Sequence, residues 1–126
     1  MAGDGSRYVP PGWPPMVRPP GAVDWEMTAS AFLLDCCPPD FRLYPVLRRH
    51  PVVLARFAAR SLEGQAKAVE TGVAEVRTEL GPWVAPEVVE QAIDAWQRFG
   101  ALLPRTQRAV DLVERALRGE EFMPTL

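Results

Sequence analysis

Residues 51–80 read PVVLARFAARSLEGQAKAVETGVAEVRTEL, and this stretch decides the fold. Val52, Ala55, Ala59, Leu62, Ala66, Val69, Val73, Val76 and Leu80 recur at alternating spacings of three and four. That rhythm places them on one face of an α-helix. Pro51 stands at the first helical position, where a missing N–H costs nothing, and Gly81-Pro82 is a stop signal. After a short turn, Pro86 opens a second stretch, PEVVEQAIDAWQRFGALLPRTQRAVDLVERALR, over residues 86–118. Here Val89, Ala92, Trp96, Phe99, Leu103, Thr106, Val110, Val113 and Leu117 keep the same rhythm, and Gly119 ends it. Two such seams joined by a short turn predict an antiparallel helical hairpin with coiled-coil-like packing.

One register satisfies every layer of that hairpin. Folding about residues 81–85 sets Val76 against Val89, Val73 against Ala92, Val69 against Trp96, and Ala66 against Phe99. Leu62 then faces Leu103, Ala59 faces Thr106, Ala55 faces Val110, and Val52 faces Val113. Small Ala66 opposite bulky Phe99 suits dense packing. The outer faces carry acid-first i,i+4 pairs, Glu63/Lys67, Asp94/Arg98, Asp111/Arg115 and Glu114/Arg118, each worth about 0.3–0.5 kcal/mol.

Working outward, residues 1–23 form a proline-rich arm holding six of the fourteen prolines. Proline fixes φ and pushes its predecessor out of the α region, so an extended, polyproline-like course is expected. Asp24 is placed to cap a shorter N-terminal helix over about 25–36, ended by Pro38-Pro39. Asp40 then caps a turn or two, interrupted by Pro45. The fold expected is therefore all-α, a single helical domain over 24–126 behind its arm.

Hydrophobic residues make up 48% of the 126, enough for a packed core. A net charge of −2 argues against bulk binding to nucleic acid or anionic membrane. The start, Met1-Ala-Gly-Asp-Gly-Ser, has neither a basic region nor an apolar core, so no signal peptide is expected. Apolar runs are too short to span a membrane. A cytoplasmic protein is expected.

The two cysteines, Cys36 and Cys37, are neighbours, and a disulfide between them would close a strained ring. With His50 they are the only soft metal-ligand candidates, short of a four-ligand zinc set. They are read as buried small hydrophobes, and His50 as a helix-entry residue before Pro51. There is no glycine-rich phosphate loop, no Ser-His-Asp set and no inward-facing carboxylate pair. A non-enzymatic protein is expected, without catalytic residues, cofactor or metal.

Three features remain as candidate sites. First, each long helix has a second apolar shoulder, Leu54, Phe57 and Ala58 on one, Ile93, Leu102, Leu112 and Ala116 on the other. Two helices cannot bury both shoulders. The first helix can cover the end near Phe57 and Leu112, and the rest needs a partner. Leu54, Phe57, Ile93, Leu102 and Leu112, with Trp13 of the arm, are thus expected to bind a protein partner or a second copy, most simply as a four-helix-bundle homodimer. Trp13 and its neighbours are expected to strap across an exposed apolar shoulder of their own chain or of a dimer mate. Second, residues 41–62 contain Arg42, Arg48, Arg49, Arg56 and Arg60 and no acid. This basic stretch suggests a nucleic-acid or anionic-ligand regulator, unless Asp35, Asp111, Glu114 and their neighbours neutralise it. Third, Pro104 lies four residues after Gly100, a spacing that permits a hinge, a static kink, or a ligand groove with Trp96 and Cys36.

The run Pro38-Pro39-Asp40-Phe41-Arg42, followed by Tyr44-Pro45-Val46-Leu47-Arg48-Arg49-His50-Pro51-Val52-Val53-Leu54-Ala55-Arg56, resembles one found in a family of short uncharacterised proteins of high-GC Gram-positive bacteria. The alanine-, arginine- and valine-rich, lysine-poor composition is similar too. The resemblance implies a provenance and no activity, cofactor or catalytic residue.

Overall fold

The computed structural model of the chain describes residues 5–125. Residues 1–4 of the arm and Leu126 lie outside the described residues. Four α-helices follow one another: α1 (Trp25–Asp35), α2 (Pro45–Arg49), α3 (Pro51–Leu80) and α4 (Pro86–Leu117), with a 3-10 turn, η1 (Pro39–Leu43), between the first two. No strand occurs among the described residues.

The hairpin forms where the sequence places it. α3 starts at Pro51 and stops at Leu80, and α4 starts at Pro86. The N–H groups of Gly81 and Trp83 close the turn onto the carbonyls of Arg77 and Leu80, at 3.0 and 2.9 Å. α4 passes through Pro104 without a break. Of the expected surface pairs, Asp94–Arg98, Asp111–Arg115 and Glu114–Arg118 form, at 2.8, 3.5 and 2.9 Å. Glu63 turns to Arg60 instead, and Lys67 to Glu70.

The register differs from the expected one by about a helical turn. A Cβ on Gly72 would stand 2.1 Å from the Trp96 ring, and one on Gly100 would stand 2.8 Å from Val69 Cγ1. Trp96 therefore lies over Gly72, not against Val69, and Val69 occupies the space that Gly100 leaves. Ile93 (6% exposed) is in the core and Phe99 (44% exposed) is not. The cause is volume. A three-four pattern counts Trp96 and Val69 as equivalent apolar residues, but an indole needs a notch in the opposing helix. Glycine supplies one on each side. The role of Gly100 is clearance for Val69.

At the open end of the hairpin, α1 lies mainly on α3. Ala29, Phe32 and Leu33 join Leu54, Ala55, Ala58, Leu62, Val110 and Val113 in one buried cluster. Glu114 is buried beside it, held by Arg56 at 3.0 Å and Arg118 at 2.9 Å. A buried carboxylate is costly unless paired, and here two guanidiniums meet it, one from α3.

The arm is irregular but not straight. Trp13, Val17 and Ala22 each donate an N–H to the carbonyl three residues earlier, of Pro10, Pro14 and Pro19. In two of these turns a glycine follows the proline pair, and Gly12 and Gly21 take φ of 98° and 94°. A proline then a positive-φ glycine is the recipe for a type II turn, so the prolines fold the arm instead of extending it. Trp13 Nε1–H donates to Val17 O at 2.8 Å, and its ring lies between Trp25 (tilted, centroids 6.5 Å apart) and Phe122 (edge-on, 6.1 Å). Val17 joins the buried cluster. Thr28 accepts the Arg18 N–H at 2.9 Å, tying arm to α1. Asp24 and Asp40, expected as N-caps, make no side-chain capping bond, and Asp24 faces Arg18 at 3.6 Å.

Candidate functional site

Beside the α3–α4 seam, a second stripe runs the length of one flank of the hairpin. On α3 it consists of Leu54, Ala58, Ser61, Gln65, Ala68, Gly72 and Val76; on α4, of Val88, Ala92, Ala95, Phe99, Leu102, Thr106, Ala109, Val113 and Ala116. Each set keeps the spacing of three and four that holds one helix face. At the base the stripe is covered. Leu54, Ala58, Ala109, Val113 and Ala116 are all buried there, beneath α1 and the arm. Toward the turn no other described element lies over it. Leu102 is 61% exposed, and Val88 and Phe99 are each 44% exposed.

Between the two halves of this flank Trp96 closes a largely apolar hollow of about 360 Å³ with Gly72, Val73, Val76, Leu80 and Ala92, Glu79 being its one charged lining residue. Trp83, at the turn itself, is 81% exposed. A second hollow, about 380 Å³, opens where η1 ends against α3, lined by Phe41, Phe57, Arg60 and Ser61. Phe57 is half exposed there, with Phe41 edge-on at 5.7 Å.

The residues expected to bind a partner therefore divide. Leu102 and Phe57 are on the surface. Leu54, Ile93 and Leu112 are core and are corrected accordingly. Leu54 and Leu112 are sealed where α1 and the arm close the base, and Ile93 where the shifted register turns it toward α3. Trp13 straps its own chain. The residues that sequence reasoning missed as surface are Trp96, Phe99, Val88 and Trp83, the first two having been assigned to the seam. The signal was Gly72 and Gly100, one notch in each helix, but α3 also carries Gly64, and only the packed structure singles out Gly72.

The arginine stretch is largely neutralised. Arg42 pairs with Asp35 at 2.6 Å, Arg56 with Glu114 and Arg60 with Glu63. Arg48 and Arg49 are exposed on α2 and make no ion pair among the described residues. The expected groove at Gly100–Pro104 is a shallow hollow of about 300 Å³. Trp96 lines a different one, and Cys36 lines neither. The three do not converge.

Both thiols are unreactive in character. Burial, followed by the charges of Cys37 and Asp35, pushes Cys36 up to about 11. Burial raises Cys37 also, opposed in part by Arg42. A thiol so shifted stays protonated at neutral pH and is a poor nucleophile. Among the described residues, no three His, Cys, Asp or Glu side chains cluster to hold a metal ion, and no helix is long and apolar enough to cross a membrane.

A scan against protein-family models finds no match, and searches of curated proteins and of solved structures find none either.

Proposed function

We propose that this chain is a non-enzymatic interaction protein whose docking surface is the bare half of the hairpin flank. One observation carries this reading. The stripe that α1 and the arm bury at the base continues at unchanged spacing to the turn, where Val88, Phe99 and Leu102 face water. Contiguous apolar patches of several hundred Å² on a soluble chain mark binding surfaces, and this one has the seven-residue rhythm of a helix-packing seam. A partner supplying another apolar helical face is the natural complement.

Phe99→Glu/Leu102→Glu is the test. Because both side chains are exposed, helicity and thermal midpoint are expected to change little, while association, read by sedimentation or by capture of a partner, is lost. Unfolding of the variant would mark the face as core; undiminished association would mark it as idle.

The alternative, an anionic-ligand or nucleic-acid regulator, rests on Arg48 and Arg49, the two arginines of the stretch without an ion pair. A gel shift lost in Arg48→Ala/Arg49→Ala and weakened by salt would favour it.

A further inference from the structure

We infer that the occupant of the bare flank is a second copy of this chain, laid antiparallel across it on a two-fold axis through Gly72. The inference rests on the docking reading above and specifies its partner. An isologous interface must be self-complementary, so each residue on the face has to fit the residue placed symmetrically about the axis. Both stripes meet this requirement, and they meet it independently.

On α4 the exposed stripe is symmetric about position 97. Phe99 falls opposite Ala95 of the second copy, Leu102 opposite Ala92, and Thr106 opposite Val88. Within the α4 stripe the two largest side chains, Phe99 and Leu102, each face an alanine. On α3 the stripe is symmetric about Gly72, which its own Trp96 ring covers, with Val76 opposite Ala68 and Glu79 opposite Gln65. A single axis serves both helices only if Gly72 and Gln97 lie at one level of the hairpin. They do: Val69, three residues before Gly72, packs on Gly100, three residues after Gln97. Nothing in the folding of one chain requires that coincidence.

The ends fit as well. Trp83, eleven residues past Gly72, falls at the level of Ser61, eleven before it. There the hollow of Phe41, Phe57, Arg60 and Ser61 opens, large enough for an indole. On α4, Pro86 of the second copy falls at the level of Arg108, against which Gly12 of the arm already rests. The second tip thus ends where η1 and the arm begin, and continues their layer.

Charge agrees. The turn half carries Glu75, Glu79, Glu87, Glu90 and Asp94 against Arg77, whereas at the other end Arg48 and Arg49 of α2 make no ion pair among the described residues. Antiparallel pairing sets each acidic tip toward the other's basic end; a parallel pair would bring the acidic tips together. The face is about 34 Å long at 1.5 Å per residue and about 20 Å across two helices. That is on the order of 700 Å² per copy, near the ~800 Å² of a standard interface.

The experiment is sedimentation equilibrium on the full chain from 1 to about 100 μM, with disulfide trapping of Ala68→Cys/Val76→Cys. The wild type is expected at twice the chain mass. The double-cysteine variant is expected to oxidise to a covalent dimer, while Ala68→Cys alone and Ala74→Cys, on the other flank, do not. Phe99→Glu is expected to weaken dimerisation about thirtyfold or more while retaining helicity. A monomer throughout the range overturns the inference; loss of capture of a different protein by Phe99→Glu/Leu102→Glu would then still uphold the docking reading. A dimer that resists trapping between 68 and 76 overturns the arrangement, and one untouched by Phe99→Glu overturns both.

Discussion

The base and the tip of this hairpin are made from the same stripe of the same two helices, yet they have opposite fates. At the base, Leu54, Ala58, Val113 and Ala116 lie beneath α1 and the arm, whose own anchors are Phe32, Leu33 and Val17. Trp25, Trp13 and Phe122 follow one another in tilted and edge-on contact, and Arg115 lies over the Phe122 ring at 5.3 Å while its Nε–H donates to Glu120 at 3.0 Å. At the tip, the equivalent positions meet water. The base packs α1, the arm and both long helices into one buried cluster, and the tip projects from it as two helices held by one seam. Buried packing therefore concentrates at one end and exposed apolar surface at the other.

The comparison breaks most sharply on leucine. Leu54→Ala at the base is expected to cost about 2–5 kcal/mol in chemical denaturation, from lost burial and a residual cavity. Leu102→Ala, the same chemistry at the tip, is expected within about 0.5 kcal/mol of wild type at concentrations where the chain is monomeric. Equal losses would mean the tip is as well covered as the base. A smaller effect comes from Gly64, mid-way along α3, where a Cβ would meet nothing within 4 Å. Gly64→Ala is expected to stabilise by about 1 kcal/mol through helix propensity, seen as a rise of a few degrees in Tm. The same exchange at Gly72 drives a methyl into the Trp96 ring, so its tryptophan fluorescence is expected to shift and the stability gain to vanish.

The smallest effect concerns Cys36. Its folded-state value, about 11, lies above the ordinary value near 9, so the folded chain holds the thiol proton more tightly than the unfolded chain. That contribution is fully present below pH 9 and is lost as pH rises through 11. Urea midpoints are expected to fall across that window, less so in Cys36→Ala. Alkylation of the native thiol is expected to stay slow at pH 7.5.

Much of this was legible in the residues. Prolines at 51 and 86 and glycine at 81 punctuate the helices through backbone chemistry alone, which is local and independent of context. Charge matching of the arginine stretch was legible too, since Arg56 and Glu114 belong to one end of any such hairpin. The site was only half legible. Leu54, Ile93 and Leu102 look alike on a helical wheel, but which of them faces water depends on how far α1 reaches and how the two helices slide. Trp96 and Phe99 were misassigned because periodicity reports which residues are apolar, not how much room each requires.

By itself, then, the sequence determined two long helices, their ends, their antiparallel turn and the surplus of apolar surface. The tertiary structure alone decided the register, by fitting Trp96 over Gly72 and Val69 into the notch of Gly100, and the boundary between covered and bare flank, by the reach of α1 and the folded arm. The physical reason is that helix formation follows from local backbone preference and periodicity, whereas register and coverage follow from the volumes of side chains far apart in the chain.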